Sequence, residues 1–445
     1  MNAFGVFMLI AWIPISVIFF TKFSAQKAVI LTVFGGFMFL PAGSMGSIVT
    51  NFPILPLFGK DASMCFALII GNLFIKKNTI EKTEQADNNL LLLLYCFVVP
   101  FCSAFAPYNH LGINSAIIWM FDRILKWGVF FYFGRKYFHD EKSQKQLAIA
   151  MIYSGTIYAL LCLYEIRMSP QLSVMVYGFF AHSWAQHVRN GGYRPIVFMS
   201  HGLVVSKWMA FSTLIAFSFY LKDKSIKIFS ISLKYILLLL MITTVLTKSA
   251  SGIVYLFLGI IIIYLYVKNN NPILLILLIC IIPIYILVRT NGNFDIYKFT
   301  DFLSKYFPPE RIQSLLFRFR MEEPMLKTAR EHYLFGWGWF GLGLNLDDFS
   351  WLARNVIPDS RFIIEYQSKG MFGLAIMYLF LLAGPYLAIR YIRSNDANKE
   401  LNILPFTISV IIVFSAFDFL MNATIGSAYF LFCGSLVGKF QMEKK

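Results

Sequence analysis

Three ionisable side chains interrupt the apolar stretch YRPIVFMSHGLVVSKWM, residues 193–209. Arg194 stands near its start, His201 lies further along, and Lys207 is deeper still. Ionisable groups inside hydrocarbon are costly and usually face a cavity or a partner. Pro195 suits the first turn of a helix, and a helix that begins there would place His201 about 9 Å and Lys207 about 18 Å below its start. The stretch therefore predicts a polar site at the edge of an apolar region.

Each of these residues also has a purely structural interpretation. Arg194 could anchor the chain by reaching lipid headgroups, and His201 could form a neutral hydrogen bond between helices. Lys207 needs a partner within the protein. Asp122 and Glu165 are the candidate partners, and the sequence does not choose between them.

Further charged residues are expected on the same side. Lys248 lies in the short connection LTKSASG, and Glu165 and Arg167 close an apolar segment in LYEIRMSP, where they are further candidates for substrate binding. Arg318 and Arg320 stand two apart in SLLFRFRMEE, so on a helix they point about 200° apart and only one can face a given site. Such cations suit an anion with many oxygens, because Arg binds phosphate in bidentate fashion and keeps its charge. A lipid-linked diphosphate is such an anion.

Other kinds of site are poorly matched. The glycines in LFGWGWFGLG, residues 336, 338 and 341, fit a dinucleotide fingerprint but follow a helix rather than a strand. The pairs His182/His187 and Asp347/Asp348 each lack a further clustered ligand for a metal. The six cysteines lie in or beside apolar segments and form no CxxC motif, so we expect neither a disulfide framework nor a metal site.

The elements that must position these residues are apolar helices. The chain has 445 residues, of which 58% are hydrophobic and 14% are charged, against about 25% charged residues in soluble proteins. Its mean hydropathy is +0.65, and long apolar runs recur along it. This composition predicts an all-α polytopic membrane protein with about 12 or 13 transmembrane helices. We expect a single integral membrane domain over residues 1–445.

The net charge of +16 is explained by membrane topology. Short loops that are rich in Lys or Arg stay in the cytoplasm. Such loops occur within the chain at residues 76–82, 135–145, 222–227 and 390–399. The basic excess is therefore assigned to topology and to contact with anionic membrane lipids, and no nucleic-acid partner is expected.

Alternation of the spans then places two long segments on the outer side, Tyr164–Pro195 and residues 290–361. Within the second, the run from Pro308 to Gly336 predicts a helix, because Pro suits a helix start and Gly can end one. Long ordered loops are usually functional. We therefore expect residues 290–361 to form a large periplasmic loop that caps the site.

Four segments, taken in order, resemble those of a known family: GGYRPIVFMSHGLVVSKWM, VLTKSASG, RIQSLLFRFRMEEPML with LFGWG, and IPDSRFIIEYQSKGMFGL. Over residues 164–380 the chain is similar to the superfamily of O-antigen ligases and polysaccharide polymerases, which are glycosyltransferases of the bacterial inner membrane. The resemblance implies a metal-independent, inverting enzyme of the GT-C type with its active site facing the periplasm. Its donor would be a glycan linked to undecaprenyl diphosphate, and no cofactor is implied.

The resemblance also implies roles for individual cations. Arg194 would hold the diphosphate of the donor. Lys248 would supply a second positive charge. Arg318 or Arg320, in the external helix, would be the third phosphate contact.

The identity of the general base separates two branches of this superfamily. The ligases carry a catalytic histidine near the end of the large loop, where this sequence has IPDSRF. Asp359 would replace it as the base, with His201 as the alternative. Because that histidine is missing, we favour a polymerase, which passes the growing chain to another lipid-linked repeat unit, over a ligase, which passes it to lipid A–core. Such polymerases work beside a flippase and a chain-length regulator.

A transporter or lipid flippase is the alternative from a different functional class. Transporters also place charges inside a helical bundle, but they often contain inverted repeats and broken helices in both halves. This sequence has no internal repeat, and its charges collect on one side beside a large loop. The pattern therefore favours a transferase.

Overall fold

The computed structural model describes nine stretches of the chain: residues 1–43, 58–75, 90–109, 111–189, 191–292, 294–338, 360–394, 399–424 and 426–442. These residues are mostly helical, as the apolar runs predict. The α-helices in them are, in chain order, α1 Ala3–Lys22, α2 Ala25–Phe39, α3 Lys60–Leu73, α4 Leu90–Leu93, α5 Val99–Ala104, α6 Gly112–Arg123, α7 Val129–Tyr137, α8 Glu141–Met168, α9 Leu172–Tyr177, α10 Gly202–Lys222, α11 Leu233–Leu246, α12 Ala250–Asn269, α13 Ile273–Thr290, α14 Ile296–Ser304, α15 Pro309–Glu331, α16 Arg361–Ser394, α17 Lys399–Asp418 and α18 Tyr429–Met442.

Short irregular elements link some of these helices. π-helical turns at Leu94–Val98 and Ile124–Gly128 join α4 to α5 and α6 to α7. Two small antiparallel hairpins flank α10. They are formed by the strands β1 Val188–Arg189, β2 Gly192–Tyr193, β3 Lys227–Ile228 and β4 Ile231–Ser232.

Six of the described helices, α1, α8, α10, α12, α13 and α16, are long and apolar enough to cross a membrane. Shorter apolar helical segments accompany them, at Ala25–Phe39, Leu90–Ala104, Leu233–Leu246, Asn402–Asp418 and Tyr429–Phe440. This is the architecture of a multi-pass helical membrane protein. The full count of 12 or 13 spans and the periplasmic position of residues 290–361 stay predictions.

The outer surface of α13 shows why a membrane suits this bundle. Leu277, Ile281, Ile284 and Val288 are all exposed. They recur at intervals of four, three and four residues, so they form one stripe along the helix. A stripe of this kind would be unfavourable in water and is stable against lipid chains.

The centre of the bundle is α10, the most buried of the six long helices. It packs against α8, α11, α12 and α17. Small residues allow these close approaches: a Cβ atom at Gly155 would lie 2.5 Å from the Ser212 side chain, and one at Gly252 would lie 1.8 Å from Oγ of Ser206. The core therefore fixes α10 firmly relative to α8 and α12, the helices that border its first turn.

The two ends of α10 carry different loops. At its C-terminal end, Lys222 lines a surface cavity together with Lys145 of α8 and residues of α17, so basic segments predicted to be cytoplasmic meet here. At its N-terminal end lie the β1–β2 hairpin and the tight connection between α11 and α12. The sequence-predicted cations of these two segments therefore share one end of the bundle.

The helix predicted between Pro308 and Gly336 is confirmed as α15, although it ends at Glu331. The following segment docks on a break in α16, where Gly370 has φ +66°. The carbonyl oxygens of Gln367 and Ser368 accept the N–H groups of residues 337 and 338 at 2.8 and 2.9 Å. The described part of the glycine-rich segment thus forms a turn against a broken helix.

Candidate functional site

The segment between β2 and α10 is extended and turned rather than helical, which corrects one prediction. The helix begins at Gly202, not at Pro195. The reason lies in α8: Oε2 of Glu165 accepts the N–H groups of Ile196 and Val197 at 2.8 and 2.7 Å, and Val197 has φ +53°. These N–H groups are bound to a carboxylate from another helix, so the local preference of Pro for a helix start does not decide the structure.

Arg194 is buried in this segment, with 1% of its surface exposed. Its Nη2 donates to Oγ of Ser249 at 3.3 Å, whereas Nε and Nη1 have no hydrogen-bond partner among the described residues. The side chain lies against the first turn of α10, where a Cβ atom at Gly202 would be 2.4 Å from Nε. Burial, with the charge of Arg189 second, lowers the pKa of Arg194 to about 10. The guanidinium therefore stays charged at neutral pH.

A buried cation without a carboxylate partner is expensive unless something else neutralises it. In the part of the chain that the structure describes, no salt bridge involves Arg194. The first turn of α10 adds the positive end of a helix dipole to the same place. The site can therefore bind an anion through unused guanidinium donors.

Lys248 lies at the same end of the bundle as Arg194. It occupies the tight connection between α11 and α12 with φ +53°, and its Nζ donates to the carbonyl oxygen of Arg189 in β1 at 3.2 Å. The next residue, Ser249, is the one that Arg194 contacts. The α11–α12 connection thus lies against the β1–β2 hairpin and the segment after it, and we name the three basic residues of these segments, Arg189, Arg194 and Lys248, the cationic site.

Histidines border the cationic site. His201 is the N-cap of α10, and its Nδ1 accepts the N–H of Leu203 at 2.9 Å. Its ring stands edge-on to that of His182, with centroids 4.6 Å apart. Burial first, and then the charge of Arg194, lowers the pKa of His201 to about 3. The imidazole is therefore neutral at neutral pH, with Nδ1 used as an acceptor and Nε2 as the donor.

Two other predicted site residues sit at the end of α8 with different surroundings. Glu165 is fully buried, and besides Ile196 and Val197 it binds the N–H of Leu172 through Oε1 at 3.0 Å. Its carboxylate thus holds backbone on both sides of the hairpin and positions Arg194 indirectly. Arg167 is exposed in the last turn of α8.

Arg318 and Arg320 belong to α15, whose main neighbours are α13, α14 and α16. Arg320 is exposed, and its guanidinium lies 5.5 Å from the ring centroid of Tyr297 in α14. The described contacts therefore do not bring these two arginines to Arg194. Several other predicted positions, Asp359, Asp347, Asp348 and Gly341, lie outside the described residues.

Lys207 has a different partner from the two that were considered. Its Nζ pairs with Oδ2 of Asp418 in α17 at 2.5 Å and donates to Thr424. Asp122 pairs with Lys126, and Glu165 binds backbone. Lys207 is thus neutralised inside the bundle rather than presented to a ligand.

Sequence reasoning missed Arg189 and Ser249, and it considered His182 only as a metal ligand. The signal that could have found them is proximity to glycine: Arg189 stands in the turn sequence HVRNGGYRP, which favours a hairpin. A hairpin brings the residues before it back beside Arg194. Among the described residues, no three His, Cys, Asp or Glu side chains are grouped as a metal site would require.

Comparison with known proteins adds no relative to this description. No family model matches the chain, and no curated protein matches it either.

Proposed function

We propose that this protein is a glycosyltransferase of the bacterial inner membrane. It polymerises oligosaccharide repeat units linked to undecaprenyl diphosphate into a surface polysaccharide at the periplasmic face. The observation that carries the proposal is the buried guanidinium of Arg194, which has two donors without a partner among the described residues and lies beside Lys248. The remaining support is the membrane architecture and the resemblance of the four sequence segments.

The cationic site suits the diphosphate of the donor. In the transfer, an oxygen of the acceptor hydroxyl bonds to the anomeric carbon, and the bond from that carbon to the diphosphate breaks. The bonding electrons leave with undecaprenyl diphosphate, so negative charge grows on its phosphate oxygens. Fixed cations in a site that excludes water stabilise such charge without reorganising.

The proton of the acceptor hydroxyl needs a base. His201 is poorly suited, because its Nδ1 lone pair accepts the N–H of Leu203 and its pKa is far below neutral pH. We assign it instead to the donor side, where its Nε2–H can bind a phosphate oxygen. Asp359 remains the base that the resemblance implies.

The opposite end of α10 supports the proposed periplasmic orientation. Lys145 and Lys222 meet there, and basic loops stay in the cytoplasm. The cationic site, at the other end, would then face the periplasm. A diphosphate whose lipid lies in the outer leaflet is at the correct depth for it.

The test uses purified protein in lipid nanodiscs with a single lipid-linked repeat unit. A ladder of products identifies a polymerase, whereas transfer that requires added lipid A–core identifies a ligase. Arg194→Ala should lower the rate of transfer by about 10²- to 10³-fold, the effect of removing one preorganised donor. Arg194→Lys should restore only part of the rate, because it keeps the positive charge but loses the planar set of guanidinium donors.

Arg390→Ala is the matched control, since Arg390 is exposed on the distal part of α16. Its rate should equal that of the wild type. Asp359→Ala tests the base in the same assay. Undiminished product from both Arg194→Ala and Asp359→Ala would remove the proposal, as would the absence of any transfer by folded wild-type protein.

A further inference from the structure

A second polar cavity lies next to the segment that carries Arg194. It has a volume of about 310 Å³, within the roughly 300–1,000 Å³ of typical small-molecule sites. Its wall includes Met199, Ser200 and Val204, which follow Arg194 by five, six and ten residues. One continuous segment of the chain therefore contributes both to the cationic site and to the wall of this cavity.

The charges that line the cavity balance. Lys60 and Lys126 face it together with Asp61 and Asp122, so its formal charge is zero. An anion or a cation would gain little from such a lining, whereas a neutral ligand with many hydroxyl groups can bond to both kinds of side chain. This balanced composition differs from that of the cationic site, whose three named side chains are basic.

The rest of the lining provides the apolar surface that a sugar ring also requires. Phe37, Leu125 and Met199 give the cavity apolar surface, against which the C–H faces of a sugar ring can pack. Ligand sites of this kind combine mostly apolar walls with a few placed polar groups. The lining therefore matches a sugar ring rather than a lipid chain or a phosphate.

Contacts within the protein hold the polar groups of the cavity in place. Nζ of Lys60 donates to the carbonyl oxygens of Phe37 and Phe198, at 3.0 Å each, which ties α2 and α3 to the Arg194 segment. Oδ1 of Asp61 accepts from Oγ of Ser427 at 2.7 Å. Asp122 is ion-paired with Lys126, whereas Asp61 has no ion pair among the described residues. Asp61 is thus the carboxylate best placed to accept hydrogen bonds from a ligand.

We propose that this cavity binds a neutral sugar residue of the glycan, with Asp61 accepting hydrogen bonds from its hydroxyl groups and Phe37 packing against its ring. The identity of the ligand rests on the proposed function. Both the donor and the acceptor of a polymerase carry such sugars. The shared chemistry is that of a neutral pyranose, and the probes below separate it from diphosphate binding.

The test measures binding of two probes to the full-length protein in nanodiscs. One is the oligosaccharide that mild acid releases from the lipid-linked glycan of the producing cells, and the other is undecaprenyl diphosphate without a glycan. Asp61→Asn should weaken binding of the oligosaccharide by about 10- to 100-fold, the loss of hydrogen bonds to a charged acceptor. Binding of undecaprenyl diphosphate should change by less than about twofold, because that probe reaches only the cationic site.

A second variant keeps the test informative if Asp61→Asn disturbs folding. Ala42→Leu places a larger side chain in the wall of the cavity without changing charge, and it should weaken the oligosaccharide by a similar factor. Glu141→Gln, in the first turn of α8 and exposed, is the control and should bind both probes as the wild type does. Arg194→Ala should show the reverse pattern, with undecaprenyl diphosphate alone weakened.

The two proposals fail in different ways. Equal oligosaccharide binding by wild type, Asp61→Asn and Ala42→Leu overturns the sugar site, as does a folded wild type that binds no oligosaccharide. If the oligosaccharide binds in the cavity and no transfer occurs with the lipid-linked unit, the sugar site stands and the transferase proposal fails.

Discussion

Oε2 of Glu165 accepts the backbone N–H of Val197 at 2.7 Å, across 32 residues of sequence. This bond holds the turn after Arg194 against α8 while Val197 keeps φ +53°. The orientation of a buried cation therefore depends on a carboxylate that does not contact it through any described hydrogen bond. Because Glu165 acts on Arg194 only through the backbone, the effect of losing the carboxylate can be measured while the guanidinium is kept.

Glu165→Gln should lower both stability and binding of undecaprenyl diphosphate. The amide keeps one acceptor oxygen, but the bonds of Ile196 and Val197 to a charged group are lost, and such bonds contribute about 1.5–3 kcal/mol each. Thermal unfolding in detergent and binding of undecaprenyl diphosphate provide the two measurements. The same change at Glu141 should leave both unaltered, and a Glu165→Gln protein with wild-type values in both would show that the turn holds without its carboxylate.

The Lys207–Asp418 pair gives a prediction about stability alone. Asp418→Asn should cost about 3–5 kcal/mol, because it leaves a buried ammonium without its counter-charge. Adding Lys207→Met should recover most of this loss. The amide oxygen of Asn can still accept from Tyr255 and Asn422, which donate to Oδ1 of Asp418 at 3.0 and 2.7 Å.

Denaturation of the two single variants and the double variant measures the coupling between the two sites. A double variant no more stable than Asp418→Asn would mean that the charge of Lys207 is neutralised by another group. The expected coupling is favourable and of the same order as the single loss.

Gly370→Ala should strongly destabilise the protein. A Cβ atom there would lie 2.2 Å from the backbone oxygen of Leu334, so the docked segment would have to move. Gly112→Ala is the control, because Gly112 has a similar φ of +70° with no atom within 4 Å of the added Cβ. It should cost only the conformational strain, about 1–2 kcal/mol, and equal losses at the two positions in thermal unfolding would contradict the close contact.

His201 predicts how stability depends on pH. Its folded pKa of about 3 lies below the ordinary value of 6.5, so between these values the unfolded chain binds more protons than the folded protein. The contribution to stability is complete above pH 6.5 and is lost as the pH falls toward 3. His201→Asn keeps an N-cap acceptor, and its melting temperature should fall less steeply than that of the wild type below pH 6.

The helices were largely predictable, because burial in hydrocarbon demands long apolar runs and few other structures satisfy their backbone groups. The location of Arg194 and Lys248 at one end of the bundle also followed from sequence, since alternating spans place their segments there. The start of α10 did not follow. The preference of Pro195 for the first turn of a helix is overridden there by Glu165, whose carboxylate accepts the N–H of Ile196 from 31 residues away. No local sequence pattern reveals such a long-range bond.

Long-range pairing explains the other differences. Lys207 and Asp418 are 211 residues apart, and several other carboxylates in the sequence could equally have paired with Lys207. The cavity for which we propose sugar binding is bounded by residues from α2, α3, the Ile124–Gly128 turn and the segment before α10. Its charged side chains come in two local pairs, Lys60 with Asp61 and Asp122 with Lys126, which are about 60 residues apart, so nothing in the spacing identifies the two pairs as neighbours.

The break in α16 has a consequence for the order of assembly. The peptide groups of Trp337 and Gly338 complete the hydrogen bonding of Gln367 and Ser368, which are synthesised about 30 residues later. If this helix entered the bilayer ahead of those donors, its break would lack two backbone hydrogen bonds, and Ser368 would keep only the bond that Oγ of Ser103 donates to its carbonyl oxygen at 2.8 Å. Unsatisfied backbone groups in hydrocarbon cost several kcal/mol each. We therefore expect the segment before it to dock first, and a chain that lacks residues 333–338 to insert poorly even though each of its long apolar helices is intact.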